Sequence, residues 1–303
     1  MDSVDKYQIK ALKKQIFISN LKAWIIGVIL IAEIAFIGLY FSKSGLFGDS
    51  VVTLGKKVAV IRYDKEVTEP YTTKIMEKLD TIRKDSDYKA VLFIMGSPGG
   101  SPTASEELSE YLVDFQKEKN ITMYVESIAA SGGYYIASAV KPLIANKNAI
   151  VGSIGVIMPH YNLSELAKKV GVAEDYLAAG KFKKPISMFK EIDEENRKYM
   201  TEHLLKPTYE NFINSVAQNR GLKPEQIRAF AEGKIYVANA PEIQGILIDE
   251  ISTLYRVKAK MRKALGDEKI QFVTIPMEKK FPFLPEVKVN LSLKELSDQF
   301  GLQ

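Results

Sequence analysis

The chain has 303 residues, is 46% hydrophobic and 26% charged, and carries a net charge of +5. That balance excludes a disordered chain, and the scattered lysines lack the clustered basic face of a nucleic-acid binder. Without cysteine, disulfides, thiol catalysis and cysteine-ligated metals are excluded, and two histidines far apart in sequence argue against a His-rich metal site, so neither a metal nor a cofactor is expected.

The first predicted element is a run at residues 23–41 (AWIIGVILIAEIAFIGLYF), almost wholly apolar. A helix of this length rises 1.5 Å per residue and spans the roughly 30 Å hydrocarbon core of a bilayer. Lys6, Lys10, Lys13, Lys14 and Lys22 precede it, which places the N-terminus in the cytoplasm and the rest of the chain outside. No A-x-A cleavage site follows, so the run reads as a retained anchor rather than a signal peptide. Glu33 sits mid-span, where a carboxylate is costly, and suits either helix association or a protonated side chain.

Residues 42–57 read as a linker. Beyond it, apolar strands alternate with amphipathic helices: strands at 58–63, 90–95 and 121–127, and helices at 71–84, 103–119 and 131–140. The second helix opens on a capping box of Thr103 and Glu106. Further strands are expected at 143–146, 154–158 and 175–179, with a helix at 163–170. A long helix over 193–220 should kink at Pro207 and stop at Gly221. Short helices at 225–231 and around 240–244, a helix at 256–265 and a strand over KIQFVTI complete the pattern. Near-continuous apolar strands separated by helices specify an α/β fold with a buried parallel or mixed sheet.

Two loops at strand ends carry the chemistry. Gly96-Ser97-Pro98-Gly99-Gly100 follows AVLFIM, and Ala129-Ala130-Ser131-Gly132-Gly133-Tyr134-Tyr135 follows ITMYVES. Glycines there let backbone N–H groups approach a ligand, and a serine at the start of a helix presents its hydroxyl. Together the loops supply a nucleophile and donors for an oxyanion. The hydroxyl needs a base, from His160 or from a lysine of Gly180-Lys181-Phe182-Lys183-Lys184-Pro185; a lysine serves only where burial or a nearby cation lowers its pKa.

SPGG, ESIAASGGYYIASA, VGSIGVIM and the GKFK stretch together resemble the signal peptide peptidase A (protease IV) family of serine peptidases, over roughly residues 58–254. The resemblance implies a Clp/crotonase-like fold and an acyl-enzyme mechanism. It assigns Ser131 as nucleophile, Lys183 as general base, Ser153 as the serine that orients the lysine amine, and the Gly100 and Gly132 N–H groups as the oxyanion hole. Gly96 departs from the family's usual asparagine, and Lys181 and Lys184 crowd the base. The chain then divides into a cytoplasmic segment (1–22), a transmembrane helix (23–41), a linker (42–57), a protease domain (58–255) and a C-terminal helix, strand and tail (256–303). The resemblance further implies a homo-oligomeric ring whose sites are shared between subunits, and peptide substrates derived from cleaved signal peptides at the cytoplasmic membrane. Two rival readings are a Clp-type triad using His160 with Asp175, and a tethered binding scaffold with a dead site.

Overall fold

The computed structural model describes residues 17–18, 20–22, 24–37 and 56–277. The expected linker, up to residue 55, and the C-terminal tail from residue 278 lie outside the described residues. Asn20–Ile37 forms helix α1, with a mean hydropathy of 1.9 and no part of it buried. By length and composition it is able to cross a membrane, and it carries Glu33 on an exposed face.

A second compact unit covers Gly55–Met277. Strands β1 (Lys57–Tyr63), β2 (Tyr88–Ser97) and β3 (Asn120–Ala130) alternate with helices α2 (Glu69–Lys84), α3 (Pro102–Glu118) and α4 (Gly132–Ser138). Then follow β4 (Leu143–Ala145), β5 (Ile150–Gly152), α5 (Ser164–Val170), α6 (Glu194–Met200), α7 (Lys206–Arg220) and α8 (Pro224–Arg228). The unit closes with β6 (Ile235–Val237), β7 (Glu250–Ile251), α9 (Leu254–Leu265) and β8 (Gln271–Thr274). The sheet runs β6-β5-β3-β2-β1-β8, while β4 pairs with β3 and β7 off this path. Every pairing is parallel except β5 with β6.

This is the mixed α/β, Clp/crotonase-like architecture that the strand pattern and the motifs led us to expect. The central stretches of β1, β2 and β3 are mostly apolar because both faces are covered. Val58, Val60, Ala90, Leu92 and Ile94 meet Val257 and Met261 of α9 on one face. Ala59, Ile61, Tyr63, Val91, Phe93 and Met95, the alternate positions, join the larger core with α2, α3, α4 and α7 on the other. Strand β3 serves two neighbours in succession: Met123–Val125 pairs with β4 and Ile128–Ala130 with β5.

Four local expectations are corrected. Helix α3 starts one turn's cap earlier than Thr103: Ser101 is the N-cap, its Oγ accepting from the Ala104 N–H, and Pro102 opens the first turn, where a missing N–H costs nothing. The strand expected at 154–158 is absent, because Gly152 (φ 101°) and Ser153 (φ 53°) take consecutive left-handed conformations and turn the chain off the sheet. Its residue Ile157 is 86% exposed. The stretch 175–179 finds no strand partner either, and Leu177 is fully exposed. Around Pro207 the helix changes register instead of kinking freely: Thr201–Leu205 is a π-turn, with the Lys206 N–H bonded to the Thr201 carbonyl. Proline has no N–H for the His203 carbonyl and its ring would clash there, and the wider turn absorbs that conflict. Thr208 Oγ donates to the Leu204 carbonyl at 2.8 Å. Gly221, at φ 72°, ends α7 as expected.

A buried ion pair ties α7 to the sheet. The Arg220 side chain is 2% exposed and donates to both oxygens of Asp249, while its Nε donates to the Ile246 carbonyl at 3.0 Å. Asp249 also accepts from the Leu143 N–H at 2.7 Å. Burial pushes the Asp249 carboxyl up, but the Arg220 and Leu143 hydrogen bonds outweigh it and hold its pKa below the ordinary carboxylate value. The stability this pair adds is therefore complete above about pH 4 and is lost as pH falls through the lower, folded-state pKa. Arg220→Ala leaves Asp249 buried and unpaired, and should cost about 3–5 kcal/mol in urea unfolding at pH 7. The penalty should shrink in acid, where the carboxyl is neutral.

Candidate active site

The parallel strands β2 and β3 end at the same edge of the sheet, so the loops that leave them are neighbours. Ser131 takes φ 50°, ψ −125°, a conformation rare for a side-chain-bearing residue. It is held there by its N–H, which donates to the Gly152 carbonyl at 2.9 Å, and by its carbonyl, which accepts from the Tyr134 and Tyr135 N–H groups. Its hydroxyl caps nothing and forms no hydrogen bond within the described chain.

Glycine is required where the loops touch. At Gly99 (φ 110°), a Cβ would fall 2.6 Å from Ser131 Cβ and 3.0 Å from the Gly132 nitrogen. A Cβ on Gly132 would fall 2.3 Å from Ser105 Oγ and 3.3 Å from the Gly100 nitrogen. The SPGG loop is thus pressed against the Ser131 turn. Among the described residues, the Gly100 and Gly132 N–H groups donate to no protein acceptor. Two free amides beside an uncommitted hydroxyl suit a tetrahedral oxyanion.

Both loops open on a cleft of about 1160 Å³, lined by Ser131, Gly100, Gly132 and Ser153 among others. Among the described residues, the non-glycine residues at positive φ are Ser131, Ser153 and Glu232, and all three line this cleft. Such conformations cost on the order of 1–3 kcal/mol each and gather at functional sites. Ser153 is fixed by its N–H on the Lys234 carbonyl at 2.6 Å, and the Gly233 N–H returns a bond to the Ile154 carbonyl at 2.9 Å. Glu232 accepts from the Tyr209 hydroxyl at 2.6 Å across the cleft. Burial foremost, then the Glu232 hydrogen bond, raises the Tyr209 pKa, so the phenol stays protonated.

The structure brings together Ser131, Ser153, Gly100 and Gly132. It does not bring either expected base to them. Lys183 is exposed and stands outside the cleft lining. The flanking Lys181 and Lys184 are each held by a carboxylate, Glu195 and Glu174 respectively, at 2.5 Å. The Lys183 amine has no such partner among the described residues, and is thereby distinguished from its neighbours. His160 also lies outside the cleft lining, and its Nε2 faces the Ser187 carbonyl at 3.0 Å. Asp175 accepts from the Tyr176 N–H rather than from His160. Lys206 does line the cleft, but its ammonium pairs with Glu202 at 3.3 Å; an ammonium held by a carboxylate is a poor proton acceptor.

Sequence reasoning named Gly99 within its loop without giving it a separate role, and missed Ser105, Glu232 and Tyr209. The double glycine of SPGG marks Gly99 as readily as Gly100. No signal in the sequence marks a glutamate for positive φ, or joins Tyr209 to it.

Residues 113–267, just over half of the chain, match peptidase family S49. A putative protease of Methanocaldococcus jannaschii is 36% identical over 175 residues, covering 58% of this chain and 56% of that one. A putative protease of Synechocystis is 29% identical over 250 residues, covering 82% and 88%. A putative signal peptide peptidase of Enterococcus faecium is 33% identical over 178 residues, covering 58% and 51%. The matched stretch thus spans about half the length of the Methanocaldococcus and Enterococcus proteins.

Proposed function

The chain belongs to peptidase family S49, and from that premise we propose that it is a membrane-anchored serine endopeptidase working through a Ser131–Lys183 dyad completed between subunits. The observation that carries the reading is the uncommitted Ser131 hydroxyl, on a strained turn beside two N–H groups without acceptors.

In this mechanism the Lys183 amine accepts the Ser131 Oγ proton as Oγ attacks the scissile carbonyl carbon. The new oxyanion accepts from the Gly100 and Gly132 N–H groups. The lysine then donates its proton to the leaving amine nitrogen as the C–N bond breaks, leaving an ester on Ser131. Water, deprotonated by the same amine, attacks the ester and releases the carboxylate product and the serine. Ser153 Oγ, free of other partners among the described residues and in the same cleft, accepts a hydrogen bond from the amine and fixes its direction.

The placement of Lys183 outside its own cleft supports sharing between subunits. Its surroundings support a docking surface: Ile157, Met158, Tyr161, Leu166, Val170, Val172, Tyr176, Leu177 and Met188 are all exposed. So dense a run of exposed apolar side chains marks an interaction surface. Docking there would strip water from the amine, the condition under which a lysine accepts a proton. Helix α1 would hold the assembly at the cytoplasmic membrane with the N-terminus inside. Substrates would be peptides left in the membrane after signal peptide cleavage, in keeping with the Enterococcus relative's name.

A serine-reactive aryl phosphonate should form one adduct per chain on Ser131 of the full-length, detergent-extracted protein, located by peptide mass spectrometry. No adduct on Ser131 in the assembled protein would leave only a binding role. His160→Ala should leave the acid limb of the kcat/KM–pH profile in place, since a histidine base would titrate near neutrality and vanish with the substitution.

A further inference from the structure

We propose that the Phe182–Tyr199 stack, with the ion pairs on either side of it, is the device that aims Lys183 at its proton-transfer partner. The inference rests on Lys183 as the base and assigns Phe182 and Tyr199 as positioning residues.

Lys183 lies in the connection between α5, which ends at Val170, and α6, which begins at Glu194; no helix or strand is found in between. A connection of this length without secondary structure would leave a side chain poorly directed unless it is tied down. It is tied down at every neighbour of Lys183. The Phe182 and Tyr199 rings lie 4.3 Å apart and 12° from parallel, and the Tyr199 ring also meets the His203 ring at 5.2 Å. Lys181 pairs with Glu195, which stands one turn before Tyr199 on α6. Lys184 pairs with Glu174, whose second oxygen accepts from Ser187 Oγ. The Lys183 N–H closes the turn on the Gly180 carbonyl at 3.1 Å.

The residues before and after Lys183 are therefore anchored in three directions while its own amine is left without a partner. That is the arrangement wanted for a base that must reach out of its own fold: a fixed root and a free tip. Exposed ion pairs give little stability by themselves. Their use here is directional, since a displacement of about 1 Å at a reacting group costs on the order of 10²-fold in rate.

The test compares Tyr199→Ala, Tyr199→Phe and Lys183→Ala in the full-length assembled protein, with a peptidyl-aminomethylcoumarin as substrate. Tyr199→Ala should lower kcat by on the order of 10²-fold with KM changed by no more than about twofold, and should shift the acid limb of the kcat/KM–pH profile. Tyr199→Phe keeps the ring and should recover most of the loss, which a generally destabilised helix would not explain. If Lys183→Ala is inactive while Tyr199→Ala keeps the parent kcat and pH profile, the positioning role is wrong and the dyad stands. If Lys183→Ala keeps activity, the dyad itself is wrong. Should Tyr199→Ala fail to assemble, Phe182→Leu removes the stack while preserving apolar bulk, and the same two results decide.

Discussion

Lys183→Ala and Ser131→Ala should each lower kcat by on the order of 10⁴-fold or more, and the double variant should be no worse than either alone. The nucleophile and its base act as one unit, so removing either removes the same step, and what survives is the rate given by substrate binding and the oxyanion donors. Lys181→Ala and Lys184→Ala should lose less, on the order of tenfold each, because each removes one tether of the Lys183 root and leaves the proton acceptor and the aromatic stack in place. Steady-state hydrolysis of a fluorogenic peptide, with the assembly state checked for every variant, measures all of them. A Lys183→Ala enzyme with near-parent turnover would dismiss the dyad, and if His160→Ala proved dead instead, the triad reading would replace it.

Mixing the two dead variants should restore activity. An interface joining the Lys183→Ala subunit, which keeps Ser131, to the Ser131→Ala subunit, which keeps Lys183, holds one intact pair. With random assembly from equal amounts, half of the serine donors and half of the lysine donors are intact, so about one quarter of parent activity is expected. The variants must be unfolded and refolded together, or co-expressed, so that subunits mix. Activity no higher than that of each variant alone would mean that serine and lysine of one site come from one chain. The exposure of Lys183 in the isolated subunit would then need a movement of the whole 171–193 connection.

How much of this was legible in the sequence depends on whether the controlling force is local or distant. Strands β1, β2 and β3 announce themselves because a sheet covered on both faces favours long apolar runs, and the Gly221 stop follows from one residue's conformational freedom. Thr103 was misread as part of a capping box because Ser101 and Pro102 form the better start, and a pattern of T-x-x-E recurs inside helices. Residues 154–158 and 175–179 carry strand-like composition for a different reason: Ile154 is buried, but Ile157, Met158, Tyr176 and Leu177 remain on the surface. The motif around Ser131 singles out this serine, but not the positive-φ turn that holds it or the Ser105 hydroxyl packed under Gly132. Whether Lys183 shares a cleft with Ser131 is a matter of long-range packing, which no spacing in one chain encodes.

The five-residue π-turn at Thr201–Leu205 has a geometric consequence for α6 and α7. Each residue of an α-helix advances the azimuth by about 100°, so one surplus residue in a turn offsets everything upstream by that angle. Tyr199 and Glu195 can thus look toward the lysine-bearing connection while Tyr209 and Phe212, a few residues on, look into the cleft. Without the surplus residue every side chain upstream of Thr201 would be turned by about 100° relative to α7, and Tyr199 and Glu195 would no longer meet that connection. Pro207 holds this gearing in place, and with it the separate positions of Lys183 and Ser131.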